Sequence, residues 1–121
     1  MQLDLLMPAP LAMVNANLDL FPSSFLAYLP DNLHVYEAFE REALGVIAAG
    51  YSHYSARTIA EVLRHTSALR ERNPDQYSGW KLNGNHVPYL SRLFGLMHPR
   101  HANLFELREA KVLRRDLGVP A

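Results

Sequence analysis

The sequence predicts a mainly α fold: a single four-helix domain with one short β-hairpin-like turn, arranged as a helix-turn-helix-like variant. Three observations predict it. Apolar residues recur at three- and four-residue spacing over several stretches between residues 31 and 116, the pattern of helices with one buried face. Asn83-Gly84, the strongest short-range signal for a tight primed turn, stands between two of these stretches, and Trp80-Lys81-Leu82 before it alternates as a very short strand would. A chain of 121 residues with 49% hydrophobic content suits one domain that buries roughly two-thirds of its unfolded surface. With no cysteine, no disulfide or thiolate metal site contributes.

Residues 1–30 contain Pro8, Pro10, Pro22 and Pro30, which block continuous helix. They also carry Leu3, Leu5, Leu6, Leu11, Phe21, Phe25, Leu26 and Tyr28, too many apolar groups for a disordered arm. The expectation is an irregular, proline-containing segment that packs on the helical domain of residues 31–121 or docks on a second copy of the chain. The first helix follows, capped by Asp31 or Asn32 and stopped by Gly50, with Leu33, Tyr36, Phe39, Ala43, Leu44 and Ile47 as its buried stripe. The second starts at Ser55, or at Thr58 with Glu61 completing a capping box. It buries Ile59, Val62, Leu63, Thr66 and Leu69, pairs Arg57 with Glu61, and turns Arg64, Arg70 and Arg72 outward.

Asn73-Pro74-Asp75 breaks that helix. The third runs from Val87 or Pro88 to Met97, with Leu90, Leu93, Phe94 and Met97 inward and Tyr89, Ser91, Arg92 and Leu96 more exposed, until His98-Pro99 ends it. The fourth extends from about His101 or Asn103 to Asp116.

A formal net charge of zero hides a division. Residues 1–50 hold six acids against Arg41 alone, a balance of −5, and the rest hold eleven Lys or Arg against six acids, a balance of +5. The basic half can serve an anionic partner or attract the acidic half within the fold. In the first reading the helix beginning at Pro88 is a reading element, with Asn83, Asn85 and His86 at its N-terminus, where free N–H groups and the positive dipole end favour phosphate. Lys81, Arg92 and Arg100 would supply phosphate contacts, and Asn85 or Tyr89 base or sugar contacts. The connection from about Arg72 to Val87 is far longer than a standard helix-turn-helix turn. In the bland reading the same asparagines satisfy their own backbone. Tyr51, Tyr54, Tyr77, Trp80 and Tyr89 near arginines can stack on single-stranded bases, anchor a protein interface, or pack in the core.

The string Tyr54-Ser55-Ala56-Arg57, Trp80-Lys81-Leu82-Asn83-Gly84-Asn85, Tyr89-Leu90-Ser91-Arg92 and Phe105-Glu106-Leu107-Arg108 resembles a family of small uncharacterised proteins encoded by bacteriophages and prophages. That family has an aromatic-Lys-Ile-Asn-Asn-Asn-aromatic core, then an Ala-Arg pair and a terminal Phe-x-x-Arg. Gly84, His86 and Ser91 depart from it, and the match spans residues 51–108. The resemblance implies a mobile-element accessory protein in the cytoplasm of a bacterial host, with no established activity.

No nucleophile elbow, phosphate-cradling loop or thiol is present, so the sequence predicts no enzyme and no cofactor. His98-x-x-His101 has a spacing able to share a metal with His53 or His86, but Pro99 interrupts a regular ligand helix and no metal is expected. No apolar run reaches transmembrane length, and the first 30 residues lack a basic leader, so neither a span nor a signal peptide is expected. Two functions remain: a noncatalytic nucleic-acid-binding accessory protein using Lys81, Asn83, Asn85, His86, Tyr89, Arg92 and Arg100, or an inhibitor of a host protein complex, of the anti-CRISPR or other anti-defence type. The inhibitor would present Glu37, Glu40 and Glu42 as phosphate mimics. A homodimer is compatible with either.

Overall fold

The prolines of the N-terminal segment begin helices in place of preventing them. In the computed structural model, which describes residues 7–70 and 82–105, Pro8 precedes helix α1 (Ala9–Asn15) and Pro10 sits in its first turn, while Pro22 precedes α2 (Ser23–Tyr28). Proline is tolerated there because the first N–H groups of a helix have no intrahelical acceptor. A 3₁₀ turn, Leu29–Asn32, leads into α3 (Leu33–Ala48); α4 (Ala56–Arg70) and α5 (Val87–Met97) follow. The chain is mainly α, and among the described residues no strand is present. Segment 7–30, expected to be irregular, is therefore largely helical, and it belongs to the core: Phe25 and Leu29 are wholly buried with Val35, Tyr36, Phe39, Leu90, Leu93 and Phe94.

Helix ends follow local chemistry. Ser55 Oγ accepts the Thr58 N–H at 3.2 Å, the bond of an N-cap, so α4 begins at the serine and the alternative start at Thr58 is unused. At the other end of α3, Gly50 has φ +102°. Its N–H donates to the Ile47 carbonyl at 2.9 Å and the Tyr51 N–H to the Val46 carbonyl at 3.3 Å, the two bonds of a Schellman cap. Asn32 occupies the N-cap position of α3, but its amide donates to the Tyr28 carbonyl at 2.8 Å.

Several side chains depart from the expected faces. Val62 is exposed and Ala56 and Ala60 are buried, because α4 lies close against α3 and α5 and small residues permit that approach. Leu44 is likewise exposed, and Val35 and Ala38 take inward positions. Glu61 pairs with Arg64, one turn on, and not with Arg57. Arg64 also donates through Nε and Nη2 to the Leu82 carbonyl at 3.1 and 2.8 Å, so it ties α4 to the start of the next segment. Ser91 is buried because its hydroxyl donates to the Pro88 carbonyl at 2.8 Å within the first turn of α5.

Asn83-Gly84 does not form the primed turn. Gly84 begins a 3₁₀ turn, Gly84–His86, without a positive φ, and Asn83 Oδ1 accepts the Asn85 N–H at 2.9 Å. An Asx cap thus competes with the hairpin and wins, since it continues directly into α5. Trp80 and Lys81, the expected strand, lie outside the described residues, as does the expected fourth helix beyond Phe105. His101 and Asn103 occupy 3₁₀ and turn conformations.

Gly50→Ala should therefore cost about 1–2 kcal/mol, since an L side chain is disfavoured at its positive φ. Gly84→Ala should be neutral or stabilising by up to about 1 kcal/mol, as nothing lies within 4 Å of an added Cβ. Urea denaturation of the two variants measures the contrast.

Candidate functional site

The polar groups at the start of α5 are largely consumed by the fold. His86 stacks on Tyr28 with ring centroids 4.0 Å apart and planes 16° from parallel, and a tilted contact with Phe25 lies beneath. Burial against these rings lowers its pKa below the usual histidine value and pushes the Tyr28 hydroxyl up to about 12. Tyr89 packs on Phe25 at 5.8 Å, and the Arg92 guanidinium sits 5.5 Å from the Tyr89 centroid. Arg92 Nη1 also donates to the Leu20 carbonyl at 2.7 Å, anchoring α5 to the N-terminal segment. Asn83 is occupied as a cap, and Asn85 is exposed. Lys81 lies outside the described residues.

The acidic set on α3 is likewise divided. Glu37 and Glu42 are exposed, with Arg41 exposed between them. Glu40 is turned inward: its Oε2 lies 2.7 Å from His98 Nε2 and accepts the Tyr36 hydroxyl at 3.3 Å, with three-quarters of both the Glu40 and His98 side chains buried. Desolvation and the neighbouring carboxylate raise the Tyr36 pKa far above its ordinary value. This network joins the middle of α3 to the end of α5. It also occupies one nitrogen of the His98-x-x-His101 pair, and among the described residues no group of three His, Asp or Glu is placed to hold a metal ion.

A different region gathers polar side chains that the fold does not use. After α5, Pro99–His101 forms a 3₁₀ turn and the chain doubles back, burying Leu104 and Phe105; the Phe105 ring packs on Phe39 at 5.5 Å and on Phe94 at 5.8 Å. The Tyr54 N–H donates to the Leu104 carbonyl at 2.9 Å, which clamps the α3–α4 loop against this turn. Between the two lies an open cleft of about 250 Å³, lined by the apolar Ile47 and Leu104 and by Tyr51, Ser52, His53, Arg100, His101 and Asn103. Arg100 and His53 are exposed and His101 half-buried, and among the described residues no acidic side chain lines the cleft. Among the described residues, the side chains of Ser52, His53, Arg100, His101 and Asn103 make no hydrogen bond or ion pair. Guanidinium, imidazole, hydroxyl and amide donors facing one space suit an anion.

Of the expected contact residues that are described, Arg100 is the cation with a free head group beside a cleft. The length of α5, about 16 Å for eleven residues, separates it from Asn83 and Asn85. Ser52 and Asn103 are not among the contact residues the sequence suggests; they lie in two loops far apart along the chain that the Tyr54–Leu104 bond holds together. No family model matches this chain, and neither the curated proteins nor the solved structures yield a match.

The His86 environment has a consequence for stability. Because its folded-state pKa is depressed, the unfolded chain takes up the proton more readily, so the contribution of neutral His86 is complete above about 6.5 and is lost as pH falls below that value. Thermal melts at pH 7 and pH 5 should show a larger acid-side drop for the wild type than for His86→Phe, which keeps the stack on Tyr28 and cannot titrate.

Proposed function

We propose that this is a noncatalytic nucleic-acid-binding protein whose phosphate contact is made in the cleft beside Arg100. The observation that carries the reading is an exposed arginine without an acidic partner among the described residues, beside His53, His101, Ser52 and Asn103 and rimmed by an exposed tyrosine ring. Arginine and small polar donors of this kind make most contacts to phosphate oxygens, and such contacts position a strand without reading its sequence. The basic balance of residues 51–121 favours the approach of a polyanion to this half of the chain.

Within this reading the helix-turn-helix-like arrangement is the packing of α4 on α5, and Asn85 is the exposed amide available at the start of α5. Arg92 is assigned to the fold, through its bond to Leu20. An accessory role in a mobile element rests on the resemblance of residues 51–108 alone. The acidic-mimicry reading is weakened by the engagement of Glu40 with His98 and Tyr36.

Fluorescence anisotropy with a short labelled oligonucleotide tests the reading. Affinity should fall steeply between about 50 and 200 mM salt, and Arg100→Ala should reduce the magnitude of the log–log slope by about 0.9 on duplex or about 0.7 on a single strand. Arg92→Ala should leave that slope unchanged and destabilise the fold by about 1 kcal/mol. Absence of binding at low salt would contradict the proposal.

A further inference from the structure

Tyr51 is more than half exposed at a position that frequently makes an apolar contact with the helix it follows. It is the residue after Gly50 in the Schellman cap of α3, a place where an apolar side chain ordinarily folds back onto the last turn of the helix. Here the residue is 55% exposed and lines the cleft that holds Arg100. Its backbone is fixed by the bond to Val46, and its ring is braced edge-on by Tyr54, with centroids 5.3 Å apart and planes at 74°. Tyr54 is in turn pinned through its N–H to Leu104. An exposed aromatic face on a rigid backbone, next to an unpaired cation, is the arrangement that receives another flat π-system at small entropic cost.

Resting on the nucleic-acid reading above, we infer that Tyr51 is a stacking platform for an unpaired base, so that the ligand of this cleft is single-stranded nucleic acid. In a duplex both faces of a base are covered by its neighbours, and a ring at the protein surface cannot reach them. A single strand offers a π-face at every nucleotide, and stacking on it is tolerant of sequence. The cleft volume of about 250 Å³ falls just below the roughly 300–1,000 Å³ of pockets that enclose a drug-sized ligand. The cleft is open along one side, so a strand would cross it with a base against Tyr51 and the adjoining phosphate toward Arg100, His53 and His101. Recognition by one stacked base and its phosphate is sequence-tolerant, in keeping with a cleft whose donors are all suited to phosphate.

The test compares three probes of equal length with the intact chain: oligothymidylate, its duplex with oligoadenylate, and an abasic phosphodeoxyribose strand. The single strand should bind more tightly than the duplex, and the abasic strand about tenfold more weakly than oligothymidylate. Tyr51→Ala should lose the same factor with an unchanged salt slope, and Tyr51→Phe should retain wild-type affinity. Equal binding of abasic strand and oligothymidylate by the wild-type protein overturns the inference, and does so even if Tyr51→Ala fails to fold. Wild-type affinity in a folded Tyr51→Ala protein overturns it as well. Should the duplex bind best while Arg100→Ala still flattens the salt slope, the nucleic-acid reading stands and the single-strand inference falls. Should no probe bind at low salt, both fall together.

Discussion

Burial of α5 is the constraint on which the rest of the molecule depends. The helices α1, α3 and α4 contact it, and α2 reaches it through Phe25 and Tyr89. Leu90, Leu93 and Phe94 are entirely removed from solvent. A helix so enclosed has to satisfy its polar groups within the protein, because a buried donor without an acceptor costs about 1–3 kcal/mol. Ser91 finds its acceptor locally, in the Pro88 carbonyl, whereas Arg92 finds Leu20 and His98, just beyond the helix, finds Glu40, both far away along the chain. Among the described residues no buried side-chain nitrogen or oxygen lacks a partner.

That enclosure decides which polar side chains remain uncommitted to the fold. At the amino-terminal end of α5, the Asx cap of Asn83, the His86–Tyr28 stack and the Arg92–Leu20 bond commit side chains that a recognition surface would need. Beyond the carboxyl-terminal end, the bond between Tyr54 and Leu104 brings two loops together, and polar side chains of both line one cleft. The Schellman cap of α3 is what carries the chain into the first of these loops, so the helix-ending chemistry of Gly50 and the exposed ring of Tyr51 are parts of one local structure. Glu40 and His98 hold the base of the second loop to α3.

Much of this helical framework is legible in the sequence, for local reasons. The cap at Ser55, the stop at Gly50 and the bounds of α5 at Val87 and Met97 are written in residues within one turn of where they act. Asn-Gly was misleading because the asparagine has two local options, a hairpin turn or a cap, and the helix that follows selects the second. Arg64 and Arg92 read as surface cations, yet they bond to backbone carbonyls 18 and 72 residues away, and a carbonyl acceptor carries no mark in sequence. The cleft was illegible for a related reason: Arg100 and Tyr51 were visible separately as a cation and an aromatic, but only the fold puts residues 51–53 beside 100–103.

The central claim is that binding belongs to this loop pair and that the first turns of α5 serve the core. Amide chemical-shift mapping during titration with a short oligonucleotide measures that division residue by residue. The account predicts shifts concentrated at Tyr51, Ser52, His53, Arg100, His101 and Asn103, with Asn83 to Arg92 largely still. Shifts centred on Asn83, Asn85, Tyr89 and Arg92, with the loop pair unmoved, would contradict it.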